Sequence, residues 1–182
     1  MIVTFDNLIG TLKLFCKKVC LRGKLNIKPV IRMSRTASIK IRKGGHIHIS
    51  SGVSLSSHTI ISATENAMIT IGNNSGVNYN TVVVAREKIV IGNNVMIGPN
   101  VAIYDHSHVF NAKNTAMRNA GYTSAPITIE DNVWIAANVV ILKGVTIGTG
   151  SVIGAGCVID RDIRPNSLVT LDRELKSITI NR

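Results

Sequence analysis

The chain has 182 residues, enough for one domain with a sizeable core, and its 45% hydrophobic content excludes a disordered chain. Aromatics make up only 4%, so the core must be built from Ile and Val, which favour strands. The formal net charge of +11 points to an anionic partner or surface. Nucleic acid is a poor fit, because no RNA- or DNA-binding signature is present and few aromatics are available to stack on bases. The phosphates of a cofactor or an anionic membrane surface serve as well.

The first element predicted is a helix. With Asp6 or Asn7 as cap, Leu8, Leu12, Phe15 and Val19 fall on one helical face, and Lys13, Lys17, Lys18 and Arg22 add positive charge. Two readings follow: a helix covering the open end of the domain, or a basic amphipathic helix resting on an anionic membrane. The segment 1–38 is assigned to this helical cap. The three cysteines, Cys16, Cys20 and Cys157, form neither a CxxC pair nor an even set, so no disulfide framework or zinc site is indicated. A reducing, cytoplasmic setting is expected, at most touching the inner face of a membrane. No signal peptide is visible, and no uncharged apolar run reaches the ~18 residues of a membrane span.

From residue 39 to 170 the chain has a period of six. Read from Ile129, the hexads are IEDNVW, IAANVV, ILKGVT, IGTGSV, IGAGCV and IDRDIR, headed by Ile129, Ile135, Ile141, Ile147, Ile153 and Ile159. Four residues into each stand Val133, Val139, Val145, Ser151, Cys157 and Ile163. The same register runs through Ile91, Ile97 and Ile103, through Ile71, Val77 and Val83, and more weakly through Ile49, Leu55 and Ile61. A helix would repeat its apolar residues at i, i+3, i+4 and i+7. A period of six instead suits short strands alternating with corners, where Gly-Asn and Asn-Asn pairs tolerate positive φ. One hexad cannot bury its aliphatic face alone, whereas stacked coils form continuous ladders. Three hexads per coil give a triangular prism, an all-β parallel β-helix. Residues 109–126 interrupt it with a polar stretch containing Gly and Pro. A loop of that length between well-formed halves points to function. The tail 171–182 is expected to cap the far end.

The main chemical signal is Asp105-His106-Ser107-His108, directly before the loop. A histidine on a coil wall, facing a cleft roofed by a loop, is suited to take a proton from an acceptor hydroxyl. The plainer alternative is a pair of exposed turn histidines. His46, His48 and His58 lie on earlier coils without such a setting. Two histidines two residues apart on a strand share a face, but a catalytic zinc needs a third, and none follows in the C-terminal half, so no metal is expected.

The stretch PITIEDNVWIAANVVILKGVTIGTGSVIGAGCVIDRDIRPNS, and more broadly Ile71 to Ser167, resembles the hexapeptide-repeat acyltransferases. The closest likeness is to galactoside and maltose acetyltransferases and to the O-acetyltransferases of capsule and lipopolysaccharide clusters. The resemblance implies left-handed coils, an exception to the usual right-handed crossover. It also implies a homotrimer with active sites between subunits and acetyl-CoA as acyl donor. By position, His108 matches the family's catalytic base, seven residues after Val101, with His106 as the alternative or as an orienting partner. Asn78 matches an asparagine that contacts the acceptor, and Asp105 and Arg86 join it as candidate substrate contacts. Trp134 matches a tryptophan lining the acetyl and pantetheine channel. The backbone at Ala136 and Ala137 matches the thioester-contacting region, Ala155 and Gly156 flank the pantetheine arm, and Arg161 matches a basic residue near the nucleotide phosphates.

Three departures stand out. Ile135-Ala136 replaces the usual Ile-Gly, Thr170-Leu171-Asp172-Arg173-Glu174 replaces the usual Gly-x-Pro-Ala-basic segment, and Arg86 stands where galactoside acetyltransferases carry an acidic residue near the sugar. The expected function is therefore O-acetylation of a saccharide hydroxyl, in capsule, O-antigen or other surface-glycan biosynthesis, with a free or lipid-linked glycan as acceptor. N-acetylation of an amino sugar and a non-catalytic β-helix scaffold are the alternatives.

Overall fold

The structure, a computed structural model, describes residues 5–21, 23–28, 31–113 and 115–171. Its body is a prism of stacked coils whose three faces are parallel sheets. Face 1 has six strands, from Leu25–Ile27 to Thr146–Ile147. Face 2 has seven, from Arg32–Met33 to Leu168–Val169, and face 3 has six, from Ser38–Ile41 to Val158–Ile159.

The hexad heads are the core. On face 1, Ile49, Ile71, Ile91, Ile129 and Ile147 pair in one ladder. On face 2, Met33, Leu55, Val77, Ile97, Ile135 and Ile153 do the same. On face 3 the ladder is Ile39, Ile61, Val83, Ile103, Ile141 and Ile159. All of these are buried, and each contributes roughly 1.5–3 kcal/mol against the cost of ordering the chain. The corners turn as the sequence predicts: Asn94, Asn100, Asn132, Asn138, Gly144, Gly150 and Gly156 all take positive φ at the fourth position of their hexads.

The early coils are longer than three hexads, which is why the period is weaker there. Thr128 pairs with Thr146, 18 residues on, whereas Thr70 pairs with Val90 and His48 with Thr70, at 20 and 22 residues. The extra residues lengthen the strands that flank the corner between faces 3 and 1. The first coil begins at Leu25, inside the segment assigned to the cap. Most of the tail expected to cap the far end lies outside the described residues, as does Arg22.

The helix α1, Phe5–Cys20, lies on the edge of the first coil. Leu14 is buried in the core, and a Cβ at Gly10 would collide with the Met33 carbonyl, so the helix packs closely there. The helix meets the first coil through a different face from the one the apolar stripe suggested. Leu8, Leu12, Phe15 and Val19 do share a face, and it points away from the protein, each residue 60–66% exposed. The lysines face inward instead. Lys13 donates to the carbonyls of Arg35 and Ala37, Lys17 to Ile39 and Lys18 to Ile27. These are carbonyls of the first coil, the outermost coil among the described residues. Burial, then the neighbouring charges of Lys13 and Lys40, hold the Lys17 ammonium below the usual lysine range.

Candidate functional site: a carboxylate-locked corner and its hairpin

Residues 106–108 and 122–124 pair antiparallel, His106 opposite Ser124 and His108 opposite Tyr122. The predicted loop is thus a hairpin arm, carrying a short 3-10 turn at Met117–Asn119. It leaves the prism at the corner between faces 3 and 1. Lys143, in the next coil, donates to Thr123 Oγ1 at 2.6 Å and tethers the arm.

Asp105 fills the gap left where the chain departs. Its side chain is fully buried, and its carboxylate accepts three consecutive backbone N–H groups, from Arg86, Glu87 and Lys88, at 2.8–2.9 Å. The same carboxylate lies 3.0 Å from Nδ1 of His106. Expected among the substrate contacts, Asp105 is buried, and its carboxylate is engaged by the corner's N–H groups and by His106, an arrangement suited to positioning.

The two histidines differ. The His106 side chain is 13% exposed and stands edge-on to Tyr104 and Tyr122, with ring centroids 5.9 and 5.6 Å away. His108 is exposed, its ring tilted against Tyr122 at 4.3 Å, and its ring nitrogens make no hydrogen bond among the described residues. Arg86 lies on Tyr122, its guanidinium carbon 3.4 Å from the ring centre, and pairs with Glu65. That hydrogen bond to Arg86 outweighs the opposing cost of burial and, with the charges of Arg86 and Lys43 added, holds the Glu65 carboxyl below the usual range. Tyr122 is the residue the sequence reading missed. Only its pairing opposite His108 reveals it, and that depends on the hairpin register.

Beside Arg86, a cleft of about 370 Å³ is lined by Lys40, Arg42, Lys43, Ser62, Thr64 and Glu65. Among the described residues no three His, Cys, Asp or Glu side chains converge as a metal site.

Most of the residues expected to hold the cofactor gather elsewhere, together with Asn78, which is expected to contact the acceptor. Asn78, Ala136, Ala137, Ala155 and Gly156 lie on the corner between faces 2 and 3, and Trp134 stands on face 2 beside it, 48% exposed, between Met96 and Val152. This ridge is narrow: a Cβ at Gly98 would come within 2.8 Å of the Ala136 carbonyl carbon. Ala136 donates its N–H to Ile153, whereas Ala137 N–H donates to nothing among the described residues. Of the two backbone donors expected near the thioester, Ala137 is the one available. Arg161 does not join this group. It lies on the hairpin's corner, paired with Asp160 at 2.9 Å. Within one chain, the ridge and the hairpin sit at opposite edges of face 3, whose strands span roughly 10 Å at ~3.3 Å per residue. The outward ladder between them is aliphatic: Ile60, Val82, Ala102, Val140 and Val158.

Residues 126–161 match the bacterial transferase hexapeptide, a unit of six repeats. The chain carries the transferase hexapeptide repeat, and its likeness is to acetyltransferases built on that repeat. Galactoside O-acetyltransferase of Escherichia coli K12 is 45% identical to it over 98 residues, which cover 54% of this chain and 47% of the relative. The chain spans about half the length of the curated relatives it matches. A hexapeptide-repeat acetyltransferase of Vibrio cholerae, solved with acetyl coenzyme A, is 26% identical with a TM-score of 0.55, covering 94% of this chain and 87% of the other. A polySia-specific acetyltransferase shares the fold with a TM-score of 0.68 at 24% identity, covering 78% of this chain and 64% of the other. The likeness expected from the hexads, to hexapeptide-repeat acetyltransferases, is the likeness found. Among the described residues of this hexapeptide-repeat protein, no helix is long and apolar enough to cross a membrane.

Proposed function

We propose that this hexapeptide-repeat protein transfers the acetyl group of acetyl-CoA to a hydroxyl of a saccharide, free or lipid-linked, with His108 as general base. The observation that carries this reading is the hairpin: a histidine held exposed on Tyr122, beside a corner locked by a buried carboxylate. His106 is enclosed by two tyrosines and committed to Asp105, so its part is to fix the start of the arm. The small-residue ridge beside Trp134 fits an extended pantetheine arm, and bound acetyl-CoA supplies the activated thioester. In the transfer, the acceptor oxygen bonds to the acetyl carbon as the carbon–sulfur bond breaks. His108 takes the hydroxyl proton and returns it to the departing thiolate. Ala137 N–H donates to the carbonyl oxygen as charge gathers there.

Because His108 and the ridge lie at opposite edges of face 3, the complete site takes the hairpin from one protomer and the ridge from its neighbour. The aliphatic outward ladder of face 3 supports such packing, and a homotrimer is the proposed assembly. The cleft lined by Lys40, Arg42, Lys43 and Arg86 favours an acceptor carrying negative charge, as in a surface polysaccharide. A cytoplasmic location, with access to acetyl-CoA, accompanies this reading.

The test is acetyl transfer to a panel of neutral, acidic and amino saccharides, corrected for hydrolysis, with wild type, His108→Ala and His106→Ala. His108→Ala should lose roughly 10²–10⁴-fold in rate, and His106→Ala distinctly less. A larger loss from His106→Ala reverses the two roles. No transfer and no saturable CoA binding by wild type overturns the enzyme reading. The linkage in the product separates O- from N-acetylation.

A further inference from the structure

The molecule's positive charge is concentrated at one end. Residues 1–43 carry eleven Lys and Arg against one acidic residue, Asp6, whereas residues 44–182 carry ten against nine. Nearly the whole net charge of +11 thus belongs to α1 and the first coil. On that same end, α1 turns its apolar side outward.

An ordinary surface helix buries its apolar stripe and exposes its lysines. Here Lys13 and Lys17 reach inward to the carbonyls of the first coil, and Leu8, Leu12, Phe15 and Val19 face away from the protein. Cys16 and Cys20 are also exposed. Beside this uncharged strip stand exposed basic side chains of the first coil, Lys24, Lys28 and Arg35, the last paired with Asp6. Beside Phe15, a cleft of about 230 Å³ between helix and coil combines Leu14, Ile27 and Ile31 with Lys18 and Lys28.

We infer that the α1 end of the prism seats on an anionic lipid bilayer surface, the four apolar side chains entering the interface and the basic collar facing the headgroups. Neither part suffices alone. A short apolar strip gives weak, reversible insertion, and a basic surface without one gives binding that salt abolishes. Together they supply the two signals that stable peripheral attachment needs. The charge decides for anionic lipid over a second copy of this chain, because two copies meeting through α1 would bring two strongly basic collars together. Attachment does not depend on transfer activity, so it stands or falls apart from the proposed function.

The experiment is co-sedimentation of the full chain with vesicles of phosphatidylcholine alone and of phosphatidylcholine with phosphatidylglycerol. Wild type is compared with Leu12→Glu/Phe15→Glu and with Lys24→Gln/Lys28→Gln. All four side chains are exposed, so both variants keep the core, and circular dichroism checks this. Wild type should bind the anionic vesicles at least about tenfold more tightly than the neutral ones, with the preference shrinking as salt rises to about 0.5 M. The glutamate variant should lose at least about tenfold in affinity for anionic vesicles, and the glutamine variant a smaller factor. Equal binding to both vesicle types, or full retention of binding by the glutamate variant, overturns the inference. So does a wild type that ignores vesicles but whose solution mass falls in the glutamate variant, which assigns the strip to a protein seam.

Discussion

At the corner between faces 2 and 3, every coil passes its backbone donors on in the same way: Asn78 N–H to Ile97, Gly98 to Ile135, Ala136 to Ile153 and Gly154 to Val169. At the corner between faces 3 and 1 the same series begins, Arg42 to Ala63 and Thr64 to Ala85, and then fails. The next coil has left the wall to form the hairpin, and Arg86 N–H finds the Asp105 carboxylate where a carbonyl should stand. One corner is regular, narrow and built of small residues. The other is interrupted, and the interruption carries the histidines. A repeat protein gains a reactive side chain most readily where its ladder breaks, provided something satisfies the donors left behind.

The sharpest way to break this contrast is at Asp105. Asp105→Ala removes the acceptor of three part-buried N–H groups, so chemical denaturation should show a loss of about 1–3 kcal/mol. The hairpin should lose its protection from hydrogen exchange before the coils do. Gly98→Ala tests the regular corner. Its Cβ meets the backbone of the next coil, and a loss of about 1–3 kcal/mol is expected, accompanied by weaker CoA binding because the ridge is displaced. A smaller effect is expected from Asn138→Ala, which places an ordinary residue at φ 60° at a cost of about 1 kcal/mol, read from the midpoint of thermal unfolding.

The smallest effect concerns Glu65 and its pairing with Arg86. Arg86 lowers the Glu65 carboxyl in the folded state, so the pair's contribution is present above the ordinary carboxylate range and fades as pH falls through the lowered value. Thermal midpoints of wild type and Glu65→Gln should therefore differ at pH 7 and draw together as the pH falls below the ordinary carboxylate range. A difference that persists in acid would mean that Glu65 contributes by packing rather than by charge.

Much of this was legible in the sequence. Heads such as Ile129 and Ile147 repeat without error because a coil wall admits one inward side chain per hexad, and Asn or Gly before Val133, Val139 and Val145 marks each corner. The early coils were less legible, since residues added beside one corner shift the period without disturbing the ladder. The burial of Asp105 could not be read from DHSH, because it depends on donors 17–19 residues earlier that the departing chain leaves unpaired. Nor could the sequence tell which side of α1 faces the prism. The apolar stripe is real, but four carbonyls on the first coil outcompete it by drawing the lysines inward.

Those lysine contacts also bear on how the molecule stays finite. A stack of parallel coils has no intrinsic last rung, and an uncovered first coil would offer a ready template on which another prism could continue the ladder. The ammonium groups of Lys13, Lys17 and Lys18 occupy acceptors that such a neighbour would need, and Gly10 lets the helix lie too close for a strand to slip beneath it. In this sense α1 is a stopper against filament growth. Prisms stripped of it should join end to end, at a rate that rises with protein concentration.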